Sequence, residues 1–310
     1  MKRRPRPFNR ALFSGKIRMA ALEKTAFLGY YVRVSVARLL ALDLDDTLLR
    51  SDLTISYRTR NAIKKAENAG VTVVLATGRI PAAMEQYIKF LGMHKKPGYL
   101  ICNNGALIME SHAGNIIYET GISADIALFA FKLADAEGFA VQLYEKDTMY
   151  VSRHNEFTGY DQKLTGLRQV VVKDFRKMLG GGCHKLLIPG DPVLLAPLQK
   201  LFCNYLGDEV TLFTSKPYFL EILPARTDKG TALEKVAGFL GIPREETLAI
   251  GDSMNDEAMI RWAGVGVAMA NSDERIKSAA DVVTEKTNDE DGVADIIEKY
   301  ILLKTDARDE

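Results

Sequence analysis

Arg38-Leu39-Leu40-Ala41-Leu42-Asp43-Leu44-Asp45-Asp46-Thr47-Leu48-Leu49 is the stretch that decides the fold. Residues 39–42 have the length and the unbroken apolar character of a central parallel strand, buried on both faces. The run ends in three acids, Asp43, Asp45 and Asp46. In an open α/β sheet, ligands bind at the carboxyl ends of the strands. Asp43 and Asp45 are two apart, so on an extended backbone their side chains point the same way. Carboxylates that close repel unless a cation or a proton joins them. Mg²⁺ is the cation that suits one or two carboxylates plus a substrate phosphate. A solvated turn after a core strand is the alternative reading of the same residues. An EF-hand loop is argued against, because Leu48 and Thr54 stand where its Gly and distal Glu are needed.

Working outward, the same grammar repeats. Ser56 is a plausible N-cap, and Gly70 a stop, for a helix between them. Residues 71–76 form a second apolar strand that ends in Thr77-Gly78-Arg79. Pro81 suits the first turn of a helix stopping near Gly92. Residues 99–102 form a third strand, ending in Asn103-Asn104-Gly105. Strand and helix alternating in this way predict an α/β fold, a doubly wound, Rossmann-like parallel sheet. The pattern resumes with a helix at 231–240, a strand at 247–250 and Gly251-Asp252-Ser253-Met254-Asn255-Asp256. A helix from 258, short strands at 265–269 and 281–283, and a helix at 288–299 follow.

The stretch from 116 to 223 has a different character. Helical segments at 124–137 and 192–206 lie among strand-like runs at 140–144, 148–152, 185–188, 210–214 and 218–223. Pro197 weakens the second helix, and Lys146-Asp147 suggests a hairpin. The expected organisation is a core of residues 37–115 and 224–310 with an α+β cap inserted at 116–223, preceded by a basic extension over 1–36.

The net charge of +1 hides an asymmetry: residues 1–36 hold nine Lys/Arg and one acid, so the remainder carries −7. An acidic body argues against nucleic acid as the main partner. No stretch has the ~18 uncharged apolar residues of a membrane span, so no membrane partner is expected. The extension has a transit-peptide composition without the serines. It is read instead as a disordered tail or the product of an early start, Met19 offering a later one. Cys102, Cys183 and Cys203 are few and far apart, which suggests neither a disulfide framework nor a zinc site. A reducing, cytoplasmic location fits.

Four strand ends supply a set that makes sense together: Asp43 with Asp45, Thr77-Gly78, Lys229 just before a helix, and Asp252 with Asn255 and Asp256. Taken singly, Thr77-Gly78 reads as a turn, Lys229 as a surface lysine and Asp252 as an N-cap. Taken jointly they are the kit of phosphoryl transfer, which is mostly positioning and charge stabilisation. A carboxylate can accept the phosphoryl group, and a second can protonate the leaving alcohol and then activate water.

These residues are similar to the haloacid dehalogenase-like hydrolase superfamily, and within it to the Cof-type phosphatases of subfamily IIB. The motifs stand in order as Asp43-Leu44-Asp45-Asp46-Thr47-Leu48, Ala76-Thr77-Gly78-Arg79, Thr227-Asp228-Lys229-Gly230, and Gly251-Asp252-Ser253-Met254-Asn255-Asp256-Glu257-Ala258-Met259. The likeness spans about 37–300. It implies Asp43 as nucleophile and Asp45 as general acid/base. It further implies Mg²⁺ held by the Asp43 carboxylate, the Asp45 backbone carbonyl and Asp252, and phosphate held by the Leu44 backbone, Thr77, Gly78, Lys229 and Asn255. Asp256 would support the metal site, and Asn104 would lie near the substrate. Asp46 departs from the usual Gly and is expected to cap the following turn.

The resemblance implies a Mg²⁺-dependent phosphatase of a small phosphorylated metabolite (sugar phosphate, nucleotide or phosphorylated cofactor), working as a monomer or homodimer. A phosphomutase or a dedicated sugar-phosphate phosphatase of the same superfamily is the alternative. A receiver-like phosphoacceptor would also use acids, a Thr and a Lys, but needs neither an insert nor an Asp45. The Gly264-Val265-Gly266 stretch precedes a strand instead of opening a helix, against dinucleotide binding.

Overall fold

Alternate residues of the first strand, β1 (Leu39–Asp43), go to opposite sides of one sheet. Leu40 and Leu42 pack with Ile63, Ile296 and Ile297, whereas Leu39 and Ala41 pack with Ala232, Leu233 and Val236. Burial on both faces is why the run shows no alternation. The computed structural model describes residues 37–303. The expected basic extension, residues 1–36, lies outside them.

β1 is joined in its sheet by β2 (Thr72–Ala76), β3 (Tyr99–Cys102), β4 (Leu107–Glu110), β5 (Ile116–Glu119), β12 (Thr247–Gly251), β13 (Val265–Ala268) and β14 (Val282–Val283). Their order is β14-β13-β12-β1-β2-β3-β4-β5. All pairs are parallel except β3 with β4 and β4 with β5. The chain leaves β1 through β2 and β3 on one side and comes back as β12 on the other. The carboxyl ends of β1 and β12 therefore flank the switch in strand order, where such sheets bind ligands. Helices α1 (Tyr57–Asn68) and α10 (Gly292–Ile297) cover one face, and α7 (Lys229–Leu240) covers the other. Ser56 caps α1 by accepting from the Thr59 N–H, as expected of that residue.

A second sheet comprises β6 (Gln142–Glu145), β7 (Thr148–Val151), β8 (Arg168–Val171), β9 (Leu186–Pro189), β10 (Val210–Lys216) and β11 (Phe219–Pro224), in the order β10-β11-β9-β6-β7-β8. Only β7 with β8 is parallel. Helices α3 (Ala124–Ala136) and α6 (Pro192–Leu206) cover one face: Phe131, Leu198 and Phe202 pack on Leu143, Ile188, Leu220 and Ile222. The other face looks towards the first sheet, and there Met149 and Val151 meet Ile80 and Ala83.

Several local expectations are corrected. Residues 116–119, expected at the start of the insert, form β5, paired with β4 in the eight-stranded sheet. Helix α4 (Glu156–Thr165), strand β8 and the short helix α5 (Phe175–Met178) were not anticipated, nor was β4. Helix α6 has the extent expected of it, 192–206, and runs through Pro197 without a break. The helix expected over 288–299 is a 3₁₀ turn, Asn288–Glu290, then α10, separated by Asp291 at φ 67°. Helices α8 (Glu257–Trp262) and α9 (Glu274–Ala279) complete the first layer. Among the described residues, no helix is long and apolar enough to cross a membrane.

Candidate active site

Past β1 the backbone winds through one wide turn, Leu44–Leu48, closed by the Leu49 N–H donating to the Leu44 carbonyl at 2.8 Å. Asp43 ends the strand almost fully buried, and Asp45 follows on an extended backbone at the edge of the crevice between the two sheets. The two acids have different partners. Lys229 Nζ donates to Asp43 Oδ1 at 2.5 Å, whereas Arg79 clamps Asp45 from two nitrogens at 2.6 and 3.0 Å.

Lys229 is the first residue of α7 and has no solvent exposure. Asp228 caps that helix by accepting from the Thr231 N–H at 2.7 Å, which fixes where the lysine starts. Its ammonium lies between Asp43 and Asp256, with Asp256 Oδ1 at 2.6 Å. Asp256 Oδ2 accepts the backbone N–H groups of Asp252 and Ser253 at 3.1 and 3.0 Å, holding the loop after β12 in place. Gly251 makes this possible, because a Cβ there would fall 2.5 Å from that of Asp256. Thr47 Oγ1 donates to Asp252 Oδ1 at 3.0 Å and ties the two strand ends together.

Asp43, Asp252 and Asp256 present oxygens all within 4.8 Å of one another. Burial, and next the charge of Asp256, push the Asp43 carboxyl up to about 7. Burial and the charges of Asp43 and Asp256 raise Asp252 well above the carboxylate range. Burial works to lower Lys229, but the same carboxylates outweigh it and hold the ammonium above its ordinary value. Three carboxylates face one ammonium; the two charges left over match one divalent cation, and every donor is a hard oxygen.

Thr77 and Gly78 follow β2. The Thr77 hydroxyl is buried and accepts the Arg79 N–H at 3.1 Å. Asn104, in the left-handed region at φ 52°, accepts from Asn255 Nδ2 at 3.0 Å, so Asn104 and Asn255 brace each other across the sheet. The structure thus brings Asp43, Asp252, Asp256 and Lys229 into direct contact range, with Asp45, Gly78 and Asn255 lining the adjoining crevice.

The second sheet contributes residues that the sequence reading did not single out. Lys216 Nζ reaches Asp46 Oδ2 at 2.6 Å. Asp46 therefore binds a lysine across the crevice and does not cap the turn as expected. Lys185 Nζ donates to the Gly78 carbonyl at 2.8 Å, and Asn104 Nδ2 donates to Glu221 Oε2 at 3.0 Å. With these three contacts made, the crevice encloses about 80 Å³, room for a handful of waters. One signal was available: Glu221 is the lone charge in an otherwise apolar strand. Arg79 stood inside a quoted motif, but its partner is 34 residues away.

Comparison with known proteins gives a consistent family. A family model described as haloacid dehalogenase-like hydrolase matches residues 40–297. The 5-amino-6-(5-phospho-D-ribitylamino)uracil phosphatase YcsE of Bacillus subtilis (strain 168) is 29% identical over 273 residues, covering 86% of this chain and 96% of that protein. An HMP-PP phosphatase of Yersinia pestis (strain Pestoides F) is 30% identical over 241 residues, covering 77% and 86%. Among solved structures, a haloacid dehalogenase-like hydrolase from Bacteroides thetaiotaomicron superposes with a TM-score of 0.79 at 32% identity, covering 85% of this chain and 99% of that one.

Proposed function

The chain belongs to the haloacid dehalogenase-like hydrolase family and is a phosphatase, and we propose that it hydrolyses a small phosphorylated metabolite in a Mg²⁺-dependent reaction through an aspartyl phosphate on Asp43. The observation that carries this reading is the Asp43–Lys229–Asp256 arrangement. Lys229 occupies Asp43 Oδ1 and leaves Oδ2 for attack, in a site short of two positive charges.

The Asp43 and Asp252 carboxylates, with the Asp45 backbone carbonyl, would hold Mg²⁺, and Asp256 supports them through the 252–253 backbone. Bound there, the ion supplies charge neutralisation at the phosphoryl oxygens. The Leu44 and Gly78 N–H groups, the Thr77 hydroxyl, Lys229 and Asn255 orient the phosphate. Asp43 Oδ2 attacks phosphorus while the bond to the leaving oxygen breaks, and Asp45 gives that oxygen its proton. Asp45 then takes a proton from water. The water oxygen attacks the same phosphorus, the bond to Asp43 breaks, and phosphate and the Asp43 carboxylate are released.

The test is a phosphate-release screen over phosphorylated metabolites, with Mg²⁺ and with EDTA, beside Asp43→Asn. Release that needs both the ion and Asp43 is expected. Appreciable turnover by folded Asp43→Asn would move the nucleophile elsewhere. We further read the protein as cytoplasmic, acting as a monomer or homodimer; light scattering after size exclusion separates those two states.

A further inference from the structure

A sheet face that only roofed the site would be apolar. The crevice face of the second sheet instead presents Gln142, Tyr144 and Glu221, with Lys185 just before β9 and Asp161 on α4 beside them. Gln142, Asp161, Lys185 and Glu221 are all more than nine-tenths buried. Such groups are costly to hold inside unless something satisfies them.

Their hydrogen bonds show which atoms are spent. Tyr144 Oη and Gln142 Nε2 both donate to Asp161 Oδ2, at 2.7 and 2.8 Å. Asn104 Nδ2 and Lys185 Nζ both face Glu221 Oε2, at 3.0 and 3.3 Å. Among the described residues, one oxygen on each carboxylate, Asp161 Oδ1 and Glu221 Oε1, has no hydrogen bond, and both residues line the crevice that also holds Asp43 and Asp45. Each cation lining it already faces a carboxylate, Arg79 with Asp45, Lys216 with Asp46 and Lys185 with Glu221, and the one Arg79 nitrogen left without a hydrogen bond, Nη1, is buried away from solvent.

We propose that Asp161 and Glu221 form the subsite for the departing half of the substrate, and that this subsite takes a hydroxyl-bearing group without negative charge, a sugar or polyol, and rejects one carrying a carboxylate. The free oxygens accept hydroxyl protons, whereas an anion would meet two carboxylates and no uncommitted cation. This rests on the phosphatase reading and narrows its substrate class; the family relatives are named for different substrates and do not choose between them.

The test compares glucitol 6-phosphate with 6-phosphogluconate, which differ only in a terminal hydroxymethyl or carboxylate. The polyol phosphate is expected to have the higher kcat/KM by at least about tenfold. In Asp161→Asn the amide oxygen can still accept from Tyr144 and Gln142, and the crevice gains a donor in place of the free acceptor. The preference should then shrink by about tenfold or more. Glu221→Gln is the second variant should the first not fold. The same preference is read by calorimetry as a ratio of binding constants in the Asp43→Asn background. Binding preference without phosphate release in the parent enzyme would remove the phosphatase reading and keep this subsite. Phosphate release with a preference unchanged in a folded variant, or a parent enzyme that favours the gluconate, would overturn the subsite and keep the phosphatase.

Discussion

Lys229 has no exposure to water, and only the two carboxylates it touches make a buried ammonium tolerable there. Lys229→Met should therefore do two kinds of damage. It leaves Asp43 and Asp256 buried without their counter-charge, with a cost of about 3–5 kcal/mol in chemical denaturation. It also removes a phosphate-orienting cation, so activity should fall even in protein shown to be folded. A variant as stable as the parent would mean that the acids take up protons instead. Asp45→Asn tests the other acid: a loss of at least ~10²-fold in kcat is expected of a general acid/base, and an unchanged rate would remove that role. At this scale the site was legible where motif and chemistry are adjacent in the chain. Asp43, Lys229, Asp252 and Asp256 were read from their strand ends. Asp46 was misread because its partner Lys216 is 170 residues away, and a side chain's long-range partner leaves no local mark.

Among the elements, α1 and α10 show how the outer layer is fastened. Arg58 on α1 pairs with Asp295 on α10 and with Glu298 just beyond it, and Lys286 also reaches Asp295. Burial alone would raise the Asp295 carboxyl, but the hydrogen bonds from Lys286 and Arg58 and the charge of Arg58 hold it below its usual range. Its stabilising contribution is thus complete above the unfolded value, ~3.9, and is lost as pH falls through the lower folded value. Urea unfolding of Asp295→Asn should show a deficit of roughly 0.5–1 kcal/mol at pH 7, modest because the pair is a third exposed. The deficit should shrink as pH falls below ~3.9; one that stays constant down that range would mean lost packing and not lost charge. Strands β1, β2, β3 and β12 were visible as apolar runs because burial on two faces removes alternation, whereas β4 in the same sheet was not. Strand β8, Arg168-Gln169-Val170-Val171, offers half of that signal, and the four residues of β5, mostly exposed or half-buried, were not read as a strand at all.

For the molecule as a whole, three polar contacts span the crevice: Lys216 to Asp46, Lys185 to the Gly78 carbonyl, and Asn104 to Glu221. If Lys216 serves to close the second layer over the first, Lys216→Met should raise KM several-fold while kcat changes less than about twofold. A fall confined to kcat would instead make the lysine part of the chemistry. These three bonds must break before the two layers can part to admit substrate and release product. Parting two layers means dragging protein surface through solvent. Turnover of a good substrate should then follow the viscosity of the medium, roughly halving as sucrose doubles it, while the slower Asp45→Asn enzyme, limited by proton transfer, should run at the same rate in thin and thick solution alike.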